Sequence, residues 1–288
     1  MSTQPPETNR ALPDLSAMLK VGQLRHIQCM HESGERWNPD VLVSKLLSPR
    51  QRWTCFWRSR LLLERLRADP FYDYLVARTK YYDDVFVGAI YGGTRTLINI
   101  GSGSDTRAYR YAHHALERGA AVFEFDQAEA IAAKRAVARR HFPTEHVTYL
   151  PIDLNQPPWE SLDACLEPRA RERTLVMLEG VSPYVDAETY LAFLRMLSLR
   201  LAPGSLVAYD YKLRGKDDSL GRTATVERPF RLGATSHEVV AFHEACGFTV
   251  EHLESSAELV GRLVPSPRTS GSRFADDGLI RLGVSPGP

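Results

Sequence analysis

From residue 96 onward, short apolar runs alternate with longer segments of helical periodicity. The runs read as buried strands at Thr96–Ile100, Ala121–Phe125, Val147–Leu150, Thr174–Leu178, Ser205–Tyr209, Phe248–Leu253 and Leu279–Val284. Strands that alternate with helices form a parallel sheet covered on both faces. The sequence therefore predicts an α/β fold with a Rossmann-like, mostly parallel, seven-stranded sheet.

The chain before residue 93 has a different character, because helical periodicity dominates it. Asn38-Pro39 is typical of a helix start, with Asn38 as the cap and Pro39 in the first turn. We expect residues 1–92 to form a polar tail and a helical cap, and residues 93–288 to form the Rossmann-like domain. A polar stretch that matches no element predicts an insertion in the substrate region, near residues 211–236.

Charge and cysteine usage narrow the class of protein. The 288 residues carry a formal net charge of +1, and 43% of them are hydrophobic. Such a balance is typical of a globular protein, and it favours neither nucleic acid nor an anionic membrane as a partner. The four scattered cysteines lack zinc-site spacing, which predicts reduced thiols, no metal and a cytoplasmic location. The beginning of the chain lacks the apolar region of a signal peptide.

A glycine-rich loop, Ile100-Gly101-Ser102-Gly103, directly follows the first predicted strand. Glycine lets the backbone turn sharply and approach a ligand closely. The helix that follows offers free backbone N–H groups at its start. Alone, the loop could be an ordinary tight turn, but its place in a βα series favours a nucleotide-derived ligand.

Acidic residues follow the next three strands. Asp126 could accept hydrogen bonds from ribose hydroxyls, or it could cap the next helix. Asp153 could bond to an adenine amino group while Leu154 packs on the ring, or it could be a turn residue. Glu179 follows the fourth strand. Ligands of open α/β sheets bind at these carboxyl ends, so the residues predict one shared crevice.

The glycine pattern discriminates between two ligands, NAD and S-adenosylmethionine (SAM). The NAD pattern has a third glycine, which would fall at Thr106 in this chain. A helical region also precedes the first strand, whereas NAD domains usually begin near the chain start. The glycine loop and the acidic end of the second strand therefore favour SAM.

Four segments together resemble the leucine carboxyl methyltransferase family. They are residues 77–84 (ARTKYYDD), 99–110 (NIGSGSDTRAYR), 123–127 (FEFDQ, with Lys134 beyond it) and 178–184 (LEGVSPY). The resemblance implies a class I SAM-dependent methyltransferase fold and bacterial O-methylation of polyketides and related compounds in secondary metabolism. Family members also include carboxyl methyltransferases of protein phosphatases.

The resemblance also implies cofactor contacts at the matched positions. Arg78 would hold the SAM carboxylate, since a guanidinium pairs with a carboxylate through two parallel hydrogen bonds. The remaining contacts run along the ligand: Gly101, Gly103 and Glu179 beside the methionine half, Asp126 at the ribose, and Asp153 with Leu154 at the adenine.

The methyl acceptor is the least constrained part of the interpretation. We expect a small natural-product carboxylate, because a carboxylate is ionised at neutral pH and needs no general base. The alternatives are a hydroxyl acceptor, a protein C-terminal carboxyl, and a non-catalytic regulatory protein that binds SAM. No catalytic residue is assigned, and the oligomeric state stays open. The candidates for the substrate pocket are Tyr184, Tyr209, Tyr211 and His237, with core packing for the tyrosines and a surface position for the histidine as alternatives.

Overall fold

The computed structural model describes residues 15–213, 226–233, 235–265 and 277–284. Seven strands form one sheet in the order β3-β2-β1-β4-β5-β7-β6, in which β7 runs antiparallel to its two neighbours. The predicted α/β fold with a mostly parallel, seven-stranded sheet is confirmed. The strands are β1 Thr96–Ile100, β2 Ala121–Asp126, β3 Val147–Pro151, β4 Thr174–Leu178, β5 Leu206–Lys212, β6 Phe248–Ser255 and β7 Asp277–Val284.

The central strands are apolar because helices cover both faces of the sheet. Every residue of β1 and β4 is buried. These two strands pair in parallel from Thr96 opposite Thr174 to Asn99 opposite Met177, so their carboxyl ends meet at one edge. The residues after both strands therefore emerge side by side.

In the described residues, four α-helices precede the sheet: α1 Leu15–His31, α2 Val43–Leu46, α3 Pro49–Arg67 and α4 Pro70–Tyr91. Ser48 and Gln51 form a reciprocal capping box at the start of α3, and Pro49 occupies its first turn. Asp69 and Pro70 begin α4 in a similar way. The remaining helices are α5 Arg107–Arg110, α6 Ala112–Glu117, α7 Ala128–His141, α8 Glu160–Leu166, α9 Ala187–Arg200, α10 Ser236–Glu244 and α11 Ser256–Leu263.

The predicted helix start at Asn38 is wrong. The side chain of Asn38 is buried, accepts from the Asp40 N–H at 3.0 Å, and donates to Gln28 and Thr79. A turn follows instead of a helix, and α2 begins only at Val43. The amide is used to connect interior side chains, which local sequence cannot reveal.

Helix α3 lies in the predicted helical region, but several of its large apolar side chains do not face the core. Trp53, Phe56, Trp57 and Leu61 are exposed by 64, 46, 45 and 74%. The inner side of α3 is formed by the small buried residues Cys55 and Ser59, with Leu63 and Leu66 partly buried beside them. The helical periodicity of the chain before residue 93 therefore does not indicate which side of α3 is buried.

The division at residues 92 and 93 stays a prediction. Helix α4 packs on one face of the sheet, where Phe86 and Ile90 belong to the same buried cluster as Leu97 and Leu175. The ends of the predicted insertion near 211–236 are tied together, since Leu213 and Leu232 form an isolated bridge. Residues 214–225 lie outside the described residues. Within the described part of the chain, no helix is both long enough and apolar enough to cross a membrane.

Candidate functional site

The glycine loop lies between the ends of β2 and β4. Gly101 and Gly103 have φ angles of +68° and +41°, a region that other residues enter only with strain. A Cβ atom at Gly101 would collide with the side chain of Val181, which follows β4. The Ser102 N–H donates to the carbonyl of Phe125 in β2 at 3.1 Å. Glycine is therefore required at position 101 by both conformation and space.

Asp126 ends β2 and is fixed by two backbone donors. Its Oδ2 accepts from the Gly103 N–H at 2.7 Å, and its Oδ1 accepts from the Gln127 N–H at 2.8 Å. Burial raises the pKa of Asp126, and the two N–H groups partly oppose that effect. A carboxylate has about four acceptor positions, so two remain for a ligand. Asp126 does not cap α7, because the N-cap of that helix is Gln127.

A buried ion pair between Lys134 and Glu124 contacts the glycine loop. Lys134 on α7 donates to Glu124 at 2.8 Å and to the Ser102 carbonyl at 3.2 Å. Burial raises the pKa of Glu124 to about 7, although the Lys134 ammonium acts in the opposite direction. The pair connects β2, α7 and the loop, and so it stabilises the loop conformation.

Glu179, directly after β4, is the most heavily paired acid of the site. It accepts from Arg107 at 2.7 Å, from Arg78 at 3.1 Å and from Arg25 of α1. Burial raises the pKa of Glu179, but the guanidinium groups outweigh it and lower the pKa to about 2. Glu179 is therefore a carboxylate at neutral pH.

Arg107 extends this pairing into a larger buried cluster. Besides Glu179, it contacts Asp105 at 2.6 Å and Asp83 at 2.8 Å, and it is only 1% exposed. Arg110 pairs with Asp83 at 2.5 Å. Burial lowers the pKa of Arg107, but the surrounding carboxylates raise it well above its usual value. Arg107 therefore stays a cation in the interior.

Asp40 and Asp210 also belong to this buried cluster. Asp40 pairs with Arg25 at 3.4 Å and accepts from the Thr106 hydroxyl. Asp210 of β5 accepts from the Gly180 N–H at 2.6 Å and lies 3.6 Å from Arg78. The cluster then contains four arginines and five acids: Arg25, Arg78, Arg107, Arg110, Asp40, Asp83, Asp105, Glu179 and Asp210.

The residues after β3 approach the turn that follows β4. Asp153 is half-buried, and its Oδ1 accepts from the Asn155 N–H at 3.0 Å, as in an Asx turn. Leu154 is buried against Trp159, whose indole N–H donates to its carbonyl. Asn155 donates to the carbonyl of Tyr184 at 2.9 Å. Asp153, Leu154 and Tyr184 therefore belong to adjoining loops at one edge of the sheet.

The other candidates for the substrate pocket lie elsewhere. Tyr209 is fully buried and hydrogen-bonds to His243, which corresponds to the packing alternative. Tyr211 is 4% exposed and contacts the ring of Tyr209. His237 is exposed in the first turn of α10, which corresponds to the surface alternative. None of these placements supplies a base beside Glu179.

The structure brings together several residues that the sequence predicted separately. Gly103 contacts Asp126, and Arg78 contacts Glu179, whereas the sequence related Arg78 to the ligand only. Sequence reasoning missed Arg25, Arg107 and Asp210 as members of the site. Asp210 had a usable signal, because it directly follows the predicted strand Ser205–Tyr209, at the sheet edge where the other predicted ligand residues lie. Arg107 lies within the segment 99–110 that carries the family resemblance, but the resemblance assigned it no role, and Arg25 had no signal in the local pattern.

The family of the chain can now be decided by comparison. The sequence profile of leucine carboxyl methyltransferases matches residues 19–198, which is more than half of the chain. The chain belongs to the leucine carboxyl methyltransferase family. The matched residues include the glycine loop, Asp126 and Glu179, and the resemblance predicted from the sequence is confirmed.

Individual relatives match a shorter part of the chain. A protein of Frankia alni, whose name assigns it to the SAM-dependent methyltransferases, is 35% identical over 140 residues, which are 48% of each chain. A Mycobacterium marinum protein with the same assignment is 33% identical over 150 residues, covering 51% of this chain and 46% of its own. The matches thus span about half the length of these curated relatives.

Solved structures extend the fold comparison over nearly the whole chain. A crystal structure from Thermobifida fusca, whose name assigns it to the methyltransferases, superposes with a TM-score of 0.56. It covers 92% of this chain and 94% of its own, with 12% sequence identity. This likeness shows a shared fold, which is the class I methyltransferase fold that the sequence predicted.

Proposed function

We propose that this protein is a SAM-dependent O-methyltransferase that acts on the carboxylate of a small natural product. The observation that carries the proposal is the contact between the glycine loop and Asp126, at the sheet edge from which Glu179 also emerges. The loop keeps two positive-φ glycines at the end of β1, and Asp126 is held by the Gly103 N–H at 2.7 Å. This arrangement leaves acceptor positions on Asp126 for the hydroxyls of a nucleoside.

The donor set of the site fits SAM. Asp126 has acceptor positions left for ribose hydroxyls, and Asp153 and Leu154 lie in the loop after the neighbouring strand. At the other side, Arg78 and Glu179 would hold the carboxylate and the ammonium of the methionine half. The NAD alternative has weaker support, because Thr106 stands where a third glycine is expected.

The charge of the buried cluster supports the same ligand. The cluster has one more carboxyl group than guanidinium groups among its described members. SAM carries an ammonium, a sulfonium and a carboxylate, so it has one net positive charge. Burial raises the pKa of Asp40 and Asp210, which favours a proton on the surplus carboxyl group. A bound cation of this kind would favour the ionised form instead.

Bound SAM supplies a methyl group that is already activated on a sulfonium. The protein then has to position the acceptor oxygen in line with the methyl carbon and to exclude water, and this positioning can supply much of the rate. Arg25 and Arg78 come from helices of the predicted cap and join Glu179 on the sheet, so the cap would close the site.

A carboxylate acceptor agrees with the groups around the site. No histidine among the described residues hydrogen-bonds to Glu179 or Asp210, and the acids there are paired with arginines. An acceptor that is already anionic needs no base, whereas a phenol, with a pKa of about 10, would benefit from one. We include a cytoplasmic location and a role in secondary metabolism in the proposal.

The test combines cofactor binding with product analysis. S-adenosylhomocysteine should raise the Tm of the protein in a saturable manner, and NAD should not. Incubation with methyl-labelled SAM and a panel of natural-product acids and phenols should give a base-labile methyl ester. Stabilisation by NAD alone would refute the cofactor assignment, and a base-stable methyl ether would refute the carboxylate.

A further inference from the structure

Helix α3 exposes a continuous aromatic surface. Trp53 and Trp57 lie one turn apart, with ring centroids at 6.0 Å, and Phe56 contacts Trp57 at 5.7 Å. Leu61 extends the surface by one more turn and is 74% exposed. We define the aromatic face of α3 as Trp53, Phe56, Trp57 and Leu61. Large exposed apolar surfaces of this kind usually mark an interaction site.

Arginines surround the aromatic face. Helix α3 contains six arginines and one glutamate in 19 residues. The Arg60 guanidinium lies 5.4 Å from the centroid of Phe56, at the border of the face. Arg50, Arg52, Arg60 and Arg65 form no ion pair with another described residue. The helix therefore combines apolar rings with uncompensated positive charge.

We propose that the aromatic face of α3 binds the surface of an anionic lipid bilayer. A helix that presents Trp, Phe and Leu bordered by arginines can lie in the plane of the headgroup layer, with its rings in the acyl boundary and its guanidinium groups at the headgroups. Tryptophan is favoured there because its ring is apolar and its N–H is polar. Each nearby arginine adds attraction to anionic headgroups, and its long stem lets the charge reach them.

The charge of α3 favours an anionic bilayer over two other partners, a second copy of the chain and the segment 1–14. A symmetric contact between two copies would bring the arginines of both α3 helices together, which like-charge repulsion disfavours. The segment 1–14 of the same chain contains Met1 and Leu12 as its large apolar residues, too few to cover three aromatic rings. The near-zero net charge of the whole chain led us to expect no membrane partner, and the local charge of α3 is what changes that expectation.

The face is independent of the core, so it can be altered without unfolding the protein. The inner side of α3 is anchored by Cys55 and Ser59, which are buried, whereas the aromatic face points away from them. Substitutions at exposed positions away from special features usually change stability little. Trp53→Ser/Trp57→Ser removes the rings, and Arg50→Gln/Arg52→Gln/Arg60→Gln removes the charge. Leu199→Ser on α9 is the matched control, since Leu199 is 85% exposed.

The experiment is co-sedimentation of the full chain with vesicles. We expect binding to phosphatidylcholine vesicles that contain about one third phosphatidylglycerol, and a decrease of about tenfold with phosphatidylcholine alone or in about 0.5 M salt. The tryptophan and the arginine variants should each lose about tenfold in affinity, and Leu199→Ser should bind normally. Brominated lipids should quench the wild-type fluorescence, and this quenching should disappear in Trp53→Ser/Trp57→Ser.

Three results would overturn the proposal. The first is a folded wild-type protein that does not sediment with anionic vesicles at low salt. The second is a dimer in light scattering that dissociates in the tryptophan variant, because the face would then contact a second copy. The third is tighter binding to poly-L-glutamate than to the vesicles, which would indicate an acidic protein partner.

Discussion

Arg25 of α1 donates a hydrogen bond to Glu179, the residue that follows β4, although 154 positions separate the two in the chain. Both side chains are buried, with exposed fractions of 4% and 8%. The pair connects the predicted cap to the edge of the sheet where the glycine loop lies. Because it is buried, the loss of one partner would leave the other charge poorly compensated.

A double-mutant cycle on Arg25→Gln and Glu179→Gln should give a coupling energy of about 1–3 kcal/mol in urea unfolding, the range of contacting buried groups. Arg228 and Glu188 provide the matched control. They also form an ion pair, with 3.1 Å between nitrogen and oxygen, but their side chains are 69% and 77% exposed. Their coupling should stay below about 0.5 kcal/mol. Equal coupling energies in the two cycles would show that burial does not strengthen the Arg25–Glu179 contact.

The glycine loop can be tested with two glycines that both have a positive φ but differ in the space available to an added Cβ atom. Gly93→Ala should lose about 1–2 kcal/mol of stability, because its φ of +90° is strained while no atom lies near the new Cβ. Gly101→Ala should lose more, because its Cβ also meets Val181. Adding Val181→Ala to Gly101→Ala should recover part of the difference. Equal losses at both glycines would contradict the close approach of the loop to β4.

The fold could be predicted from the sequence because it depends on local patterns. Strands such as Thr174–Leu178 are short, apolar and bounded by polar turns, and a glycine loop after the first of them identifies the ligand edge. Burial of individual side chains depends on distant partners instead. Arg25 is identified as a site residue only by its distant partners Asp40 and Glu179, and the exposure of Trp57 follows from the burial of Cys55 and Ser59 on the opposite side of α3. The sequence around Arg25 predicts no pairing with these distant acids, and the sequence around Trp57 does not predict its exposure.

Asp126→Asn should weaken binding of S-adenosylhomocysteine by about 1.5–3 kcal/mol, the scale of hydrogen bonds to a charged group. The amide can accept through one oxygen only, so it cannot serve the Gly103 N–H, the Gln127 N–H and the ribose together. Calorimetry measures the affinity, and Asp163→Asn on α8 is the control. An unchanged Kd in a folded Asp126 variant would remove Asp126 from the cofactor site.

His243 should make the stability depend on pH, because burial lowers its pKa to about 4. The unfolded chain takes up a proton near pH 6.5, whereas the folded protein does not until about pH 4. The contribution of His243 to stability should therefore be complete above pH 6.5 and should fall by at most about 3 kcal/mol as the pH is lowered to 4. His243→Gln should flatten this dependence in urea titrations at several pH values. His237→Gln, at an exposed position of the same helix, should leave it intact.

The last prediction concerns the methyl acceptor. This prediction rests on the proposed carboxylate methylation. A carboxylate is fully ionised from about pH 6 to 9, so kcat should stay nearly flat across that range. His237→Ala should leave kcat unchanged, because the exposed His237 hydrogen-bonds to no described group of the site. A phenol or an alcohol would instead need to lose its proton, and the rate would then climb with pH or fall when a base is removed. The measurement follows the substrate screen, with single-turnover kinetics to establish that methyl transfer is rate-limiting. A rate that rises about tenfold per pH unit through neutrality would exclude the carboxylate and indicate hydroxyl methylation.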